Sequence, residues 1–406
     1  MIEAGSQAFR KTSFALAFGS FLVFCNLYLF QPMLPLMVEH FAISATKANW
    51  LLAASTFGLA FTLVPWAMIS ERIGRRPVML FSLSLMPVVG ALMLLSESFL
   101  YLVIMRAFMG IALAGFAAVA VAYMAEEFSP AALMTAVGVY ISANSLGGIV
   151  GRISGGVLTG SFGWEGAVIA MALFTSMGVT LVIWLLPRQQ HFEPAKVGVL
   201  THSRAVIDHF RNPVIWLAML IGGINFALFV NLYSVMAFRL VAPPYSLPIS
   251  FASMIFLCYL AGTLSSSLSG RWTAKHSPIQ GMVVGSLLLA LGVLVASHPS
   301  IPAMLIGLLI ISGGAFFTHS LAYAWVSRNA KEGKATATAL YLVHYYTGGS
   351  LGGFLLIASW QHRGWLGVVL ASTALIAAML FAIGLLKKRL SRPPAVTPEI
   401  HRAEVN

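Results

Sequence analysis

Long apolar stretches alternate along the chain with short polar breaks, and the breaks carry most of the charged residues. A helix crossing about 30 Å of hydrocarbon needs about 20 mostly apolar residues, because it rises about 1.5 Å per residue. Twelve stretches meet that requirement, at 14–36, 47–69, 77–96, 99–124, 132–158, 165–186, 213–236, 248–269, 279–297, 301–325, 335–359 and 365–386. The first follows Arg10 and Lys11, as a signal peptide would, but its apolar run is too long and eleven more follow it. The pattern predicts an all-α membrane protein with twelve transmembrane helices.

Composition agrees. Of 406 residues 59% are apolar and 9% charged, with a mean hydropathy of +0.88, whereas soluble domains carry about 25% charged residues. The formal charge of +12 could suggest a nucleic-acid partner, but its distribution does not. With both termini placed in the cytoplasm, 19 of the 24 Lys and Arg fall on that side. Lys47, Arg239 and Arg363 fall on the other, and Arg106 and Arg152 lie within apolar segments. That is the positive-inside bias, so the basicity sets topology and no nucleic acid is expected. Cys25 and Cys258 lie in apolar segments, where a thiol serves as a small packing group.

The longest hydrophilic break divides the crossings six and six. It gives an N-terminal bundle at 1–187, a linker at 188–212, a C-terminal bundle at 213–387 and a tail at 388–406. Within the linker, Ser203 to Phe210 could form a short amphipathic surface helix. The halves echo each other. Phe162-Gly163-Trp164-Glu165-Gly166 is matched by Arg363-Gly364-Trp365-Leu366-Gly367, and Gly147-Gly148 by Gly352-Gly353. Residues Ala67 to Arg76 have a degraded counterpart at Gly270 to Ser277. Two related six-helix halves around a midplane site form a common transporter plan.

The run Ala67-Met68-Ile69-Ser70-Glu71-Arg72-Ile73-Gly74-Arg75-Arg76-Pro77 resembles the loop signature of the major facilitator superfamily, with Ala67 for its first glycine and Glu71 for its aspartate. Arg106-x-x-x-Gly110 is similar to that superfamily's second motif. Gly138, Gly147, Gly151, Arg152, Gly155 and Gly156 resemble the antiporter motif of drug–proton exchangers, with Arg152 in place of the usual proline. Leu29 to Pro35, Tyr140 to Gly148, Phe316 to Ser320 and Tyr341 to Tyr346 are similar to YnfM-like bacterial inner-membrane transporters. The resemblance implies a major facilitator fold of two pseudo-symmetric bundles in the cell inner membrane. It also implies that arginines of the loop, among Arg72, Arg75 and Arg76, pair with an acid ending the fourth helix, Glu126 or Glu127. Glu71 would engage the start of the eleventh helix, so that these residues with Gly74 form a gate. Three cations there are also what positive-inside topology would give.

Gly147, Gly151 and Gly155 share one helix face, Gly148 and Gly156 an adjacent one, and both permit close backbone approach. The contact is either static packing or a moving gate, and the resemblance favours the gate. A guanidinium within a crossing costs at least about 2.5–3.5 kcal/mol unless it meets a partner or water. Arg106 and Arg152 are therefore candidates for a central cavity, although Arg152 could instead snorkel to the outer surface. Every acid maps to a loop, tail or helix end, so the cavity is expected to be electropositive and to disfavour lipophilic cations. His319 and His344 are the candidates for proton coupling, against the alternative of neutral histidines bonded to carbonyls. Asn26, Gln31, Asn144, Asn225, Asn231, Tyr140, Tyr341 and Tyr345 supply further polar groups to the cavity or to helix packing.

Gly348-Gly349-Ser350-Leu351-Gly352 fits a nucleophile-elbow spelling but sits inside an apolar helix. No phosphate-loop or zinc-helix motif is present. The sequence thus predicts a monomeric secondary transporter rather than an enzyme, with no cofactor or metal. Its partners would be a small-molecule substrate, the lipid bilayer and, in the coupled case, protons. Proton-coupled efflux of a small organic compound is the favoured direction. Uptake of a small anionic or polar metabolite by symport or facilitation is the alternative.

Overall fold

The computed structural model describes residues 1–95, 97–194, 207–330 and 334–390, with backbone alone for Lys334 and Ala335. The helices are α1 (Gln7–Tyr28), α2 (Leu34–His40), α3 (Ala45–Ala48), α4 (Trp50–Ile73), α5 (Arg75–Leu92), α6 (Phe99–Glu127), α7 (Pro130–Leu185), α8 (Pro213–Val241), α9 (Ile249–Ala252), α10 (Tyr259–Thr273), α11 (Pro278–Val295), α12 (Ile301–Asn329) and α13 (Lys334–Leu390). Of the expected surface helix, 207–210 are helical; the rest, like the tail beyond Leu390, lies outside the described residues.

Among the described residues, ten helical stretches are long and apolar enough to cross a membrane, but two count double. Helix α7 is 56 residues long, and a straight helix of that length would span about 84 Å. It turns back at Gly163 (φ 72°, ψ 174°), a backbone region open to glycine. The reversal is visible in its contacts: Gly151 lies against Cys25 of α1, and Thr175 accepts a hydrogen bond from Asn26, the next residue of α1. Helix α13 breaks likewise at Arg363 and Gly364 (φ 56°). Twelve crossings result, and the even number brings both ends of the described chain to one face, called the termini face below.

Two apolar stretches are not single helices. The first ends as a helix at Tyr28, because Pro32 has no N–H to continue the ladder. Tighter bonds from Gln31 to Tyr28 and from Met33 to Phe30 carry the chain through the break to α2. The eighth passes through six residues of 3₁₀ helix, Ser253–Cys258, between α9 and α10. Both breaks lie at the joint between the halves.

The repeat is built into the packing. Gly147 and Gly151 of α7 pack on the backbones of Phe21 and Cys25 in α1, and Gly348 and Gly352 of α13 pack on Gly223 and Ala227 in α8. Glycine leaves no side chain between the helices, so the two backbones come into contact.

Between the halves, the contacts lie toward the face opposite the termini. Thr46 bonds Gln361, Thr56 bonds Ser350 at 2.6 Å, and Trp50 packs on Phe354 with centroids 4.8 Å apart. Gly353 presses on the Asn49 amide, Gly156 on Ser253 and Gly160 on Ser250. Nearer the termini face, Gly138 of α7 and Gly270 of α10 face open space. Among the described residues, the hydrogen bonds and ring stacks that join the halves lie toward the far face.

Candidate functional site

Arg106 and Arg152 are both fully buried, 1% and 2% exposed, and their surroundings differ in kind. Arg106 projects from α6 into the end of α1. Its Nε donates to the Leu51 carbonyl at 2.9 Å, and its two terminal nitrogens donate to the carbonyls of Asn26 at 3.1 Å and Leu27 at 2.7 Å. A fourth bond goes to Ser55 Oγ at 2.8 Å, and the guanidinium carbon lies 4.7 Å from the Phe30 ring centre. The last carbonyls of a helix have no partner within it, and the break after Tyr28 creates such a set inside the bundle. Arg106 satisfies them, all within the first half.

Arg152, on the first limb of α7, stands where the halves meet. Its Nε donates to Gln31 Oε1 and its Nη1 to the Gly148 carbonyl, both at 2.7 Å. The guanidinium carbon lies 3.5 Å from the ring centre of Tyr28, 4.6 Å from Tyr259 and 5.3 Å from Phe256. Tyr28 belongs to the first half; Phe256 and Tyr259 belong to the second. Gln31 completes the bridge, its Nε2 donating to the Val230 carbonyl at 2.8 Å and to Ser234 Oγ at 2.9 Å in α8. Among the described residues no carboxylate pairs with either arginine, and none lies in the middle of a crossing.

The second half contributes an aromatic wall. His319 Nδ1 is 2.9 Å from Tyr341 Oη, its ring lies 4.3 Å from that of Tyr345, and Tyr345 stacks on Phe226 at 3.9 Å. His344 faces its own helix through Nδ1 and the Leu340 carbonyl at 2.8 Å, with its ring beside Phe210.

The remaining polar candidates divide. Asn26 bonds Leu22 and Thr175 within the first half, and Asn225 bonds the Ala315 carbonyl within the second. Asn231 bonds Ala227 and Gly349. Asn144 accepts from Ser20 Oγ of α1, and Tyr140 is buried about one turn before it on the same limb.

At the termini face, Arg75 Nε pairs with Glu126 Oε1 at 2.9 Å and its Nη1 donates to Ser70. Gly74, at φ 103°, makes the turn between α4 and α5. Glu71 and Arg72 lie at the end of α4, Arg72 exposed. Glu127 accepts from the backbone N–H groups of Gln190 and His191 at 2.7 and 2.9 Å, with His191 Nδ1 at 3.1 Å from its second oxygen. Gly147, Gly151 and Gly155 face Phe21, Cys25 and Leu29, so this stripe packs within the first half; the stripe facing the other half is Gly156 and Gly160.

Sequence reasoning did not pick out Tyr28, Phe256 and Tyr259 as the box around Arg152, nor Gln190 and His191 as partners of Glu127. Aromatic residues in an apolar run look the same whether they face lipid or a cation. Only the chain breaks beside Pro32 and Ser253 could have pointed to them.

The Major Facilitator Superfamily profile matches residues 16–353. The chain is 33% identical over 392 residues to the inner membrane transport protein YnfM of Escherichia coli (strain K12), covering 96% of this chain and 93% of the relative. It is 32% identical over 392 residues to the uncharacterized MFS-type transporter YybF of Bacillus subtilis (strain 168), with 97% of each chain covered. Among solved structures, a bacterial homolog of the human lysosomal transporter Spinster, inward-facing and occupied, superposes with a TM-score of 0.76 at 15% identity, covering 95% of this chain and 97% of that one. A D-xylose–proton symporter gives 0.72 at 15% identity, covering 92% and 97%. With a matching profile across most of its length and relatives of this identity and coverage, the chain belongs to the major facilitator superfamily.

Proposed function

We propose that this membrane transporter is a proton-coupled exporter of a small organic solute, working by alternating access as a monomer in the cell inner membrane with both termini in the cytoplasm. The observation that carries this is the joint between the halves, which among the described residues runs from Thr46–Gln361 at the far face down to Arg152. The excess of Lys and Arg in the loops of the termini face supports a cytoplasmic position for that face. A relative named a multidrug resistance protein, MdtG of Citrobacter koseri, 26% identical over half of this chain, supports a small organic solute. Inward transport of a small anion is the second reading, favoured by Arg152 having no carboxylate partner among the described residues. His319, hydrogen-bonded to Tyr341, carries the coupling proton, and Arg75–Glu126 braces the cytoplasmic gate.

The test is flux in proteoliposomes holding a pH-sensitive dye, challenged with pools of organic solutes. Solute-dependent proton movement by the wild-type chain, lost in His319→Gln while solute exchange continues, is the expected outcome. Solute movement with no proton movement would remove the coupling, and no movement of any solute would remove the transport reading.

A further inference from the structure

Two groups beside each other at the joint between the halves are short of partners. The Arg152 guanidinium, 2% exposed, has two of its nitrogens bonded to neutral oxygens and its face on Tyr28. The Tyr259 ring lies 4.6 Å from that guanidinium, and its hydroxyl, buried in a residue 5% exposed, has no hydrogen-bond partner among the described residues. A buried hydroxyl without a partner is costly, and so is a buried cation without an anion. An aromatic face compensates a cation only in part. One ligand answers both deficits if it presents a pair of anionic oxygens, one for the guanidinium and one for the phenol.

We infer that Arg152 and Tyr259 together bind the carboxylate of an aromatic monocarboxylic acid, which is the solute carried; this rests on the transport reading above. The planar guanidinium matches a carboxylate better than a point charge does. The acid is aromatic because the box is: Tyr28 and Phe256 flank the cation, and Phe229 continues the wall 4.6 Å from Tyr259, with Phe316 5.2 Å beyond it. Offset and edge-on ring contacts favour such a body. The acid carries one charge because the site offers one cation. Arg106 has its donors committed to Asn26, Leu27, Leu51 and Ser55 within the first half. The box is assembled from both halves, Tyr28 and Arg152 from one and Phe256 and Tyr259 from the other, so it opens whenever the halves part. A bound carboxylate then takes the guanidinium from the aromatic faces that hold the far side shut.

The experiment is thermal unfolding of the purified full-length chain in detergent, read with a thiol-reactive dye. Cys25 and Cys258 are free and buried and so report unfolding. The probes are benzoate and phenylacetate, with benzamide as the neutral counterpart of benzoate and succinate as a dianion. Benzoate and phenylacetate are expected to raise the melting temperature in a saturable way, with benzamide and succinate at least about tenfold weaker. Tyr259→Phe should weaken benzoate about tenfold, the loss of one hydrogen bond to a charged group, and Arg152→Gln should abolish its effect. Benzamide matching benzoate in the wild-type chain would overturn the inference without any variant. An unchanged benzoate response in a folded Arg152→Gln chain would do the same. Absence of carboxylate binding in a chain whose halves still alternate would remove this inference alone; halves fixed in one arrangement would remove the transport reading as well.

Discussion

Arg106 and Arg152 look alike in the sequence, each a lone cation in an apolar run, and the fold gives them opposite tasks. Arg106 meets four oxygens of its own half, three of them backbone carbonyls. Removing the donor leaves carbonyls buried without partners, at about 1–3 kcal/mol each. Arg106→Gln is therefore expected to lower the melting temperature by at least about 5 °C, with loss of a single species on size exclusion. Arg152 has no carboxylate partner among the described residues, and neutralising a buried charge that lacks one relieves desolvation. Arg152→Gln is expected to melt within about 2 °C of wild type while losing transport. Similar melting losses in the two variants would show that Arg152 too is a structural brace. The sequence shows that each arginine needs a partner in the membrane. It does not show which, because two of the three carbonyls for Arg106 appear only once Pro32 has broken α1, and the rings for Arg152 come from residues more than a hundred positions away, Tyr28 upstream and Phe256 and Tyr259 downstream.

Helices in this bundle meet through glycine in two different ways. Gly151 faces the Cys25 backbone of α1, and an added Cβ would come within 2.5 Å of Cys25 Cα. Gly156, five residues on, faces Ser253 of the opposite half. Overpacking a fixed contact costs about 1–3 kcal/mol, whereas overpacking a contact that parts during the cycle shifts the cycle instead. Gly151→Ala is expected to lower the melting temperature. Gly156→Ala is expected to leave it nearly unchanged and to speed maleimide labelling of a cysteine at Ala252, now 2% exposed, in a chain free of other cysteines. Slower labelling in Gly156→Ala would place that contact among the static ones. The spacing of four in the sequence made both stripes visible as smooth faces. It could not tell which stripe faces which helix, because a rotation of roughly 100° per residue separates neighbouring stripes and packing alone sets the rotation.

At the scale of the whole chain, most of the architecture was legible before any coordinates. Crossing number, the reversal at Gly163 and its echo at Gly364 all follow from apolar length and from residues whose backbone must turn. The breaks after Tyr28 and at Ser253 were hidden inside apolar runs, since hydropathy measures burial and not helical continuity. The closed face was hidden too: contacts such as Thr46–Gln361 and Thr56–Ser350 join residues about three hundred positions apart, with no local signal in either partner. The account as a whole stands on two halves that close at one face while they part at the other. The direct measurement is the spin-label distance between Lys47 and His362 on the far face, and between Ala131 and Lys275 on the termini face, each pair as cysteines in a chain lacking Cys25 and Cys258. Two populations in each pair are predicted, with the far pair lengthening as the termini pair shortens when pH or benzoate is varied. A single distance in both pairs under every condition would contradict it.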